Sequence, residues 1–203
     1  MLNSTVTMRA VMRVLAIIVG ATLLLAGAFA FGMGSWGRGY VHDQLSQENI
    51  TMPDQETIDG DTSLSDEDKD ALKGFAGELM TEGAQAQVYA NNYIYPHMMH
   101  SCTEVTSADG QTTFDAVPAD KCTYAGVGGV ARAAESEEAS QAYNGLRDSL
   151  FRGSMLRGAL LNTYGWSILA TIGFYAGIAL VLAGLGLLVA AFTVLKPVRS
   201  TTR

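Results

Sequence analysis

Charged residues are missing from two long stretches of this sequence. Residues 14–33 and 158–195 contain no Asp, Glu, Lys or Arg. A helix rises about 1.5 Å per residue, so each stretch can cross the roughly 30 Å hydrocarbon core of a bilayer. We therefore predict two transmembrane helices, at residues 14–35 and at residues 159–195, the second with a helical lead-in before the membrane.

Acidic residues are absent from both ends of the chain. All 20 of them lie between Asp43 and Asp148. Basic residues flank the two apolar stretches, because Arg9 and Arg13 precede the first and the second is followed by Lys196, Arg199 and Arg203. Lys and Arg are retained on the cytoplasmic side of a membrane. This distribution predicts a plasma-membrane protein with both termini in the cytoplasm and residues 36–160 outside.

The first apolar stretch has a second interpretation. Ala28-Phe29-Ala30 fits a signal-peptidase site, so the stretch can also be a cleaved signal peptide. Its apolar run is longer than the 7–15 residues typical of signal peptides. We expect an uncleaved membrane anchor and keep the cleaved signal as the alternative.

The sequence also lacks the motifs of familiar enzymes. It contains no CxxCH haem site, Walker loop, GxSxG elbow or HExxH helix. The net charge is -7, and clustered Lys and Arg, which binding to nucleic-acid phosphates requires, occur only next to the two apolar stretches. Neither apolar stretch contains an ionisable residue of the kind that marks transport pathways. We predict that the protein is not an enzyme, has no cofactor and has no nucleic-acid partner.

The polar middle of the chain predicts a helical domain. We expect a mainly α membrane protein, with a cytoplasmic N-terminus (1–13), an acidic external linker (36–64), an external helical domain (65–158) and a basic tail (196–203). Apolar periodicity, with Ser65 as the N-cap, predicts a helix over 66–94 that ends at Pro96, and another over 131–142 that continues towards the second apolar stretch. The turn signal Ala108-Asp109-Gly110 predicts a loop or hairpin between them.

Only two cysteines are present, Cys102 and Cys122. Both lie in the part of the chain that we place outside the cell, where disulfides persist. Their spacing does not fit a CxxC redox motif. We predict that they form one disulfide, with two free thiols as the alternative.

Small residues recur along the second apolar stretch. Such residues allow another helix to approach closely, as in GxxxG pairs. The predicted helix-packing interface comprises Ala170, Gly173, Gly177, Gly184 and Ala191. Two partners remain open at this point: the first apolar helix, or other membrane subunits.

One segment combines two residue types that bind copper. It reads Pro96-His97-Met98-Met99-His100, and imidazole with thioether suits copper in an exported protein. A helix end that packs without metal gives the same pattern. We therefore assign no metal site, and keep His97, Met98, Met99 and His100 as candidate ligands.

Two sequence blocks carry a resemblance to a known group. The blocks are AQVYANNYI at 86–94 and LRDSLFRGSMLRGALLNTYG at 146–165. They resemble small actinobacterial membrane proteins with one span at each end and an external helical domain. The chain is also similar in size and topology to accessory subunits of the actinobacterial respiratory supercomplex, in which cytochrome bcc works with an aa-type oxidase. The resemblance implies no catalytic residue.

The sequence thus predicts a non-catalytic accessory or scaffold subunit of a plasma-membrane complex. The resemblance implies bcc and aa-type oxidase subunits as partners, together with lipid. Docking would use the small-residue helix faces. The alternative is an exported binding module or copper carrier built on residues 97–100.

Overall fold

The computed structural model describes residues 2–195, and the predicted basic tail at 196–203 lies outside this range. The described chain is mainly helical, as predicted. Its helices are α1 (Leu2–Glu48), α2 (Gln55–Gly60), α3 (Asp66–Lys73), α4 (Gly83–Tyr89), α5 (Tyr95–His100), α6 (Tyr124–Ala133) and α7 (Glu137–Thr193). A π-helical turn (Ala90–Ile94) joins α4 to α5, a 3₁₀ turn (Ala119–Lys121) precedes α6, and two short strands, β1 (Val105–Thr106) and β2 (Thr113–Phe114), pair antiparallel.

The chain divides into two compact units. A helix-pair unit contains residues 2–40 and 167–195, and a middle unit contains residues 41–166. The helices α1 and α7 each contribute to both units. Each unit is described separately below.

The helix-pair unit contains the two predicted apolar helices. Both α1 and α7 are long and apolar enough to cross a membrane. Each helix is longer than the stretch predicted to span, because α1 continues from residue 35 to Glu48 and α7 already begins at Glu137. The charged and polar residues that bound the apolar stretches therefore do not end the helices.

The middle unit holds two clusters of buried side chains. The first is built from both long helices and the segments between them: Val41, Leu45, Met52, Ile58, Leu64, Leu72, Met80, Ala86, Ala90, Ile94 and Leu160. The second surrounds the two cysteines: Cys102, Val105, Val117, Cys122, Val127, Ala131, Tyr143, Leu146 and Leu150. Met98 packs against both clusters.

The expectation of an acidic linker at 36–64 is wrong. Met52, Ile58 and Leu64 are buried in the first cluster. The backbone is also paired, because Met52 N–H donates to the Glu78 carbonyl and Met80 N–H donates to the Ile50 carbonyl, both at 2.8 Å. A few apolar residues at the right positions therefore order a segment whose overall composition is polar.

The single helix predicted over 66–94 is also wrong. Helix α3 begins at the predicted N-cap, Ser65, which forms a capping box with Asp68. It ends at Lys73, and Gly77 then adopts a φ of +72°, which favours glycine and turns the chain back. Pro96 does not end a helix either. It lies in the first turn of α5, directly after the π-helical turn, and the helical run continues through it.

The hairpin prediction is confirmed, whereas the helix predicted over 131–142 is divided in two. The strands β1 and β2 are joined through the turn at residues 107–111, in which Gly110 has a φ of +70°. Helix α6 ends at Ala133. Ser136 then caps α7 by accepting a hydrogen bond from Ala139 N–H at 3.1 Å.

Candidate functional site

Two ring nitrogens of His97 already have partners in the fold. Nδ1 lies 2.6 Å from the carbonyl oxygen of Tyr93, one turn earlier in the helix. Nε2 lies 3.0 Å from the carboxylate of Asp61, in the segment between α2 and α3. Both partners are hydrogen-bond acceptors, so each ring nitrogen is engaged within the fold. A metal would have to displace one of these contacts to reach a nitrogen lone pair.

The other three candidate copper ligands lie in different environments. Met98 and Met99 are half-buried and pack as core side chains, Met98 against the position of Gly153 on α7. His100 is exposed. Among residues 2–195, no group of three His, Cys, Asp or Glu side chains is close enough to hold a metal ion. The methionines follow their usual role as adaptable fillers of irregular core space.

Asp61 connects the α2–α3 segment to His97. Its partial burial opposes ionisation, but hydrogen bonds from Ser63 and the adjacent imidazole outweigh that effect and lower the pKa of the Asp61 carboxyl below 3.8. Ser63 donates to it from both its N–H (2.9 Å) and its hydroxyl (2.6 Å). The ionised carboxylate of Asp61 therefore links its own loop to α5.

Acidification is expected to loosen residues 55–64. Because the pKa of Asp61 is lower in the folded chain than in the unfolded chain, its stabilisation is complete above about pH 4 and is lost as the pH falls through the folded value. Hydrogen exchange of peptides from this segment, corrected for intrinsic rates, measures the effect. The Asp61→Asn variant should show a smaller acid dependence.

The acid dependence that remains in Asp61→Asn should come from Asp54 and from Asp59, whose pKa is lowered by a hydrogen bond from Gln55. Asp54 caps α2 by accepting from Thr57 N–H at 2.8 Å, and this bond lowers its pKa. The control is Asp109→Asn, because the pKa of Asp109 is also lowered but its partners Ser107 and Gln111 lie in the hairpin. An unchanged profile in Asp61→Asn would contradict the assignment.

The predicted disulfide is present. Cys102 and Cys122 are joined across 20 residues of sequence and are both buried in the second cluster. The bond links the end of α5 to the start of α6 and encloses the hairpin. The backbone reinforces the same closure, because Val117 N–H donates to the Cys102 carbonyl at 2.8 Å.

The predicted small-residue interface faces α1. A Cβ on Gly184 would lie 2.7 Å from the carbonyl oxygen of Gly20, and a Cβ on Gly177 would lie 2.8 Å from that of Gly27. A Cβ on Gly34 would lie 2.7 Å from the carbonyl oxygen of Ala170. Gly173 also contacts α1 near Ala30, and Ala191 is fully buried. Of the two partners left open by the sequence, α1 occupies this face.

The matching residues on α1 share the spacing found on α7. Gly20, Gly27 and Gly34 lie seven apart, like Ala170, Gly177, Gly184 and Ala191. Gly20, Gly27 and Gly34 were not among the residues predicted to form the interface. A common seven-residue period in two apolar helices is the signal that would have found the pair, because it keeps one seam in contact along both helices.

Helix α7 also carries an exposed aromatic face in the middle unit. Phe151 is 50% exposed and its ring lies 5.7 Å from that of Tyr124, which is 45% exposed. Met155, one turn beyond Phe151, is 61% exposed. The guanidinium of Arg147 stacks over Tyr124 at 4.1 Å and donates to its hydroxyl. We call Tyr124, Arg147, Phe151 and Met155 the aromatic face.

The chain matches no protein-family model, no curated protein and no solved structure. Functional inference therefore rests on the residues of this chain.

Proposed function

We propose that this protein is a non-catalytic accessory subunit of a plasma-membrane complex. In this proposal α1 and α7 span the membrane, both termini are cytoplasmic and the middle unit is external. The length and apolar character of both helices support the anchoring role. So does the outward exposure of large apolar side chains such as Leu25, Phe29 and Leu182, which need lipid or another protein to cover them.

The observation that carries the subunit role is the aromatic face of the middle unit. Phe151 and Met155 precede the uncharged stretch at 158–195, and Arg152 and Arg157 lie beside them in the sequence. The face thus belongs to the charged part of α7, which lipid tails would not cover. Tyr124, Phe151 and Met155 are exposed, and Arg147 is half-buried over the Tyr124 ring. Tyr, Phe, Met and Arg are residue types enriched in protein interface cores.

The route of docking differs from the one that the sequence suggested. The small-residue face of α7 is occupied by α1, so it cannot also receive another subunit along the same seam. We assign contacts with neighbouring subunits to the aromatic face and to the bulky outer surfaces of α1 and α7. Close packing at the glycines then serves to hold the two anchors together.

The more specific proposal is a place in the respiratory bcc–aa oxidase supercomplex. Its support is the resemblance carried by residues 86–94 and 146–165. These two blocks contact each other in the fold, because Arg157 donates to the side-chain carbonyl of Asn91 at 2.9 Å. The alternative of a copper carrier has less support, since His97 is held by Tyr93 and Asp61.

Purification in mild detergent through a C-terminal tag tests the proposal. We expect haem-bearing subunits to co-purify in a fixed ratio, detected by visible absorption and by mass spectrometry. A fixed ratio with membrane subunits that lack haem would keep the accessory role and contradict the respiratory assignment. A colourless protein that purifies alone would contradict both.

The aromatic face can be tested in the same preparation. The Phe151→Asp, Met155→Asp double variant should lower the yield of partner subunits by about tenfold or more, because charges would replace two side chains buried at the interface core. Ser149→Asp is the matched control, since Ser149 is exposed on a different side of α7. Equal yields from the double variant and the wild type would remove the aromatic face from the interface.

A further inference from the structure

The arginines at the start of α1 stand in an unusual charge environment. No acidic residue precedes Asp43 or follows Asp148, so Arg9 and Arg13 have no carboxylate near them in the sequence. The structure places none within 4.0 Å among the residues that it describes. The Nε–H of Arg13 is buried and has no hydrogen-bond partner in that part of the chain. Because that Nε–H is shielded from its surroundings, an anion would meet the two terminal NH₂ groups of the guanidinium.

The antiparallel pairing of the helices places an aromatic ring beside Arg13. Because Gly20 contacts Gly184 and Gly34 contacts Ala170, the start of α1 lies beside the end of α7. The guanidinium carbon of Arg13 lies 5.4 Å from the centre of the Phe192 ring. The ring positions the guanidinium and leaves its planar edge for a ligand.

The direction of the helix points these side chains towards the headgroup layer. Side chains on a helix lean towards its N-terminus. Arg13 immediately precedes the uncharged residues 14–33, so its charged end extends away from the hydrocarbon. Arg9, one turn earlier, lies on the same face of α1. With α1 spanning the membrane as proposed, both arginines lie just beyond the apolar stretch, on the side where the lipid headgroups begin.

We propose that Arg9 and Arg13, with Phe192 as a wall, bind the phosphate group of an anionic phospholipid. Arginine is suited to this ligand because its planar donors match phosphate oxygens. A phospholipid without an amine in its headgroup leaves that phosphate uncompensated, so the site selects anionic lipid over phosphatidylcholine. The inference rests on the membrane location in the proposed function, but not on any partner subunit.

Arg38 provides a matched comparison at the other end of α1. Its guanidinium also stacks on an aromatic ring, that of Phe174 at 4.9 Å. Acidic residues follow it closely in the sequence, at Asp43 and Glu48, and its side chain leans towards the apolar part of the helix. Arg38 thus has the same charge and a similar ring contact without the features that favour a phosphate.

The test uses the full-length protein in nanodiscs of phosphatidylcholine and phosphatidylglycerol, with retained lipids counted by mass spectrometry after release. We expect phosphatidylglycerol to be enriched over the bulk ratio, and Arg9→Gln with Arg13→Gln to lower the enrichment by about fivefold per arginine removed. Arg38→Gln should leave it unchanged. Equal enrichment in the wild type and the double variant, or an equal loss in Arg38→Gln, would overturn the site.

Further measurements distinguish lipid phosphate from free phosphate and test the assumed membrane location. Millimolar inorganic phosphate should not displace the retained lipid, because the acyl chains hold the headgroup at the site; displacement would show a site for free phosphate and overturn the lipid assignment. Arg9→Lys with Arg13→Lys should retain part of the enrichment, since the charge remains but the planar donors are lost. Failure of the wild type to enter nanodiscs would contradict the membrane location itself, whereas entry without lipid selectivity would overturn only this inference.

Discussion

Replacing Gly177 with alanine is expected to destabilise the helix pair by about 2 kcal/mol, the cost of overpacking a close contact. The added methyl group would lie 2.7 Å from the Phe31 Cα and 2.8 Å from the Gly27 carbonyl oxygen. Both are backbone atoms, so relief requires the helices to separate rather than a side chain to move. The midpoint of unfolding in a series of SDS mole fractions, followed by tryptophan fluorescence, measures the effect.

Gly186→Ala is the matched control for this experiment. Gly186 lies on the same helix, and a methyl group there meets nothing within 4 Å. Its midpoint should be unchanged or slightly higher, because alanine favours helix over glycine by up to about 1 kcal/mol. Gly34→Ala should behave like Gly177→Ala, since its methyl group would meet the backbone of Phe174. Equal midpoints for the Gly177 and Gly186 variants would contradict the glycine-mediated contact.

Removing the disulfide is expected to destabilise the middle unit by about 3 kcal/mol on the chain-entropy model. Cys102 and Cys122 are 20 residues apart in the sequence, and the loop between them contains the hairpin. Both lie within a small hydrophobic cluster. That loss is a large fraction of the 5–15 kcal/mol that stabilises a typical domain. Hydrogen exchange across β1, β2 and α6 in the Cys102→Ala, Cys122→Ala variant measures it.

Reduction of the wild-type protein separates the covalent bond from the packing of the sulfur atoms. Reduced protein keeps both buried sulfurs, whereas the double alanine variant also loses their contacts in the second cluster. We expect increased exchange in both, with the larger increase in the alanine variant. Peptides from α2 and α3 should be less affected, because those helices belong to the first cluster. Unchanged exchange at the hairpin after reduction would contradict the stabilising role.

The sequence predicted those features that depend on local composition. Uncharged runs of sufficient length identified the two apolar helices, the turn Ala108-Asp109-Gly110 identified the hairpin, and Ser65 identified the start of α3. The disulfide followed from the presence of just two cysteines. Each of these signals is contained within a few neighbouring residues or in a count.

The errors arose where contacts distant in sequence decided the local structure. Residues 49–64 have few apolar side chains, yet Met52, Ile58 and Leu64 meet a core supplied by α1, α3, α4 and α7. The break after α3 depends on backbone pairing between residues 50–53 and 77–80. Likewise, Nε2 of His97 contacts Asp61, which is 36 residues away. Periodicity within one segment cannot reveal a partner of this kind.

The π-helical turn Ala90–Ile94 limits where residues can be deleted from or inserted into this chain. Its wider turn sends two adjacent amides in different directions: Asn92 donates to Asp68 of α3 at 2.9 Å, and Asn91 accepts from Arg157 of α7. Deleting one residue there would restore a regular α-helix and rotate every later residue of α5 by about 100°, together with His97 and its contact to Asp61. The loop at 107–111 has no such coupling, so a peptide tag inserted at its exposed Gly110 would leave both clusters in register.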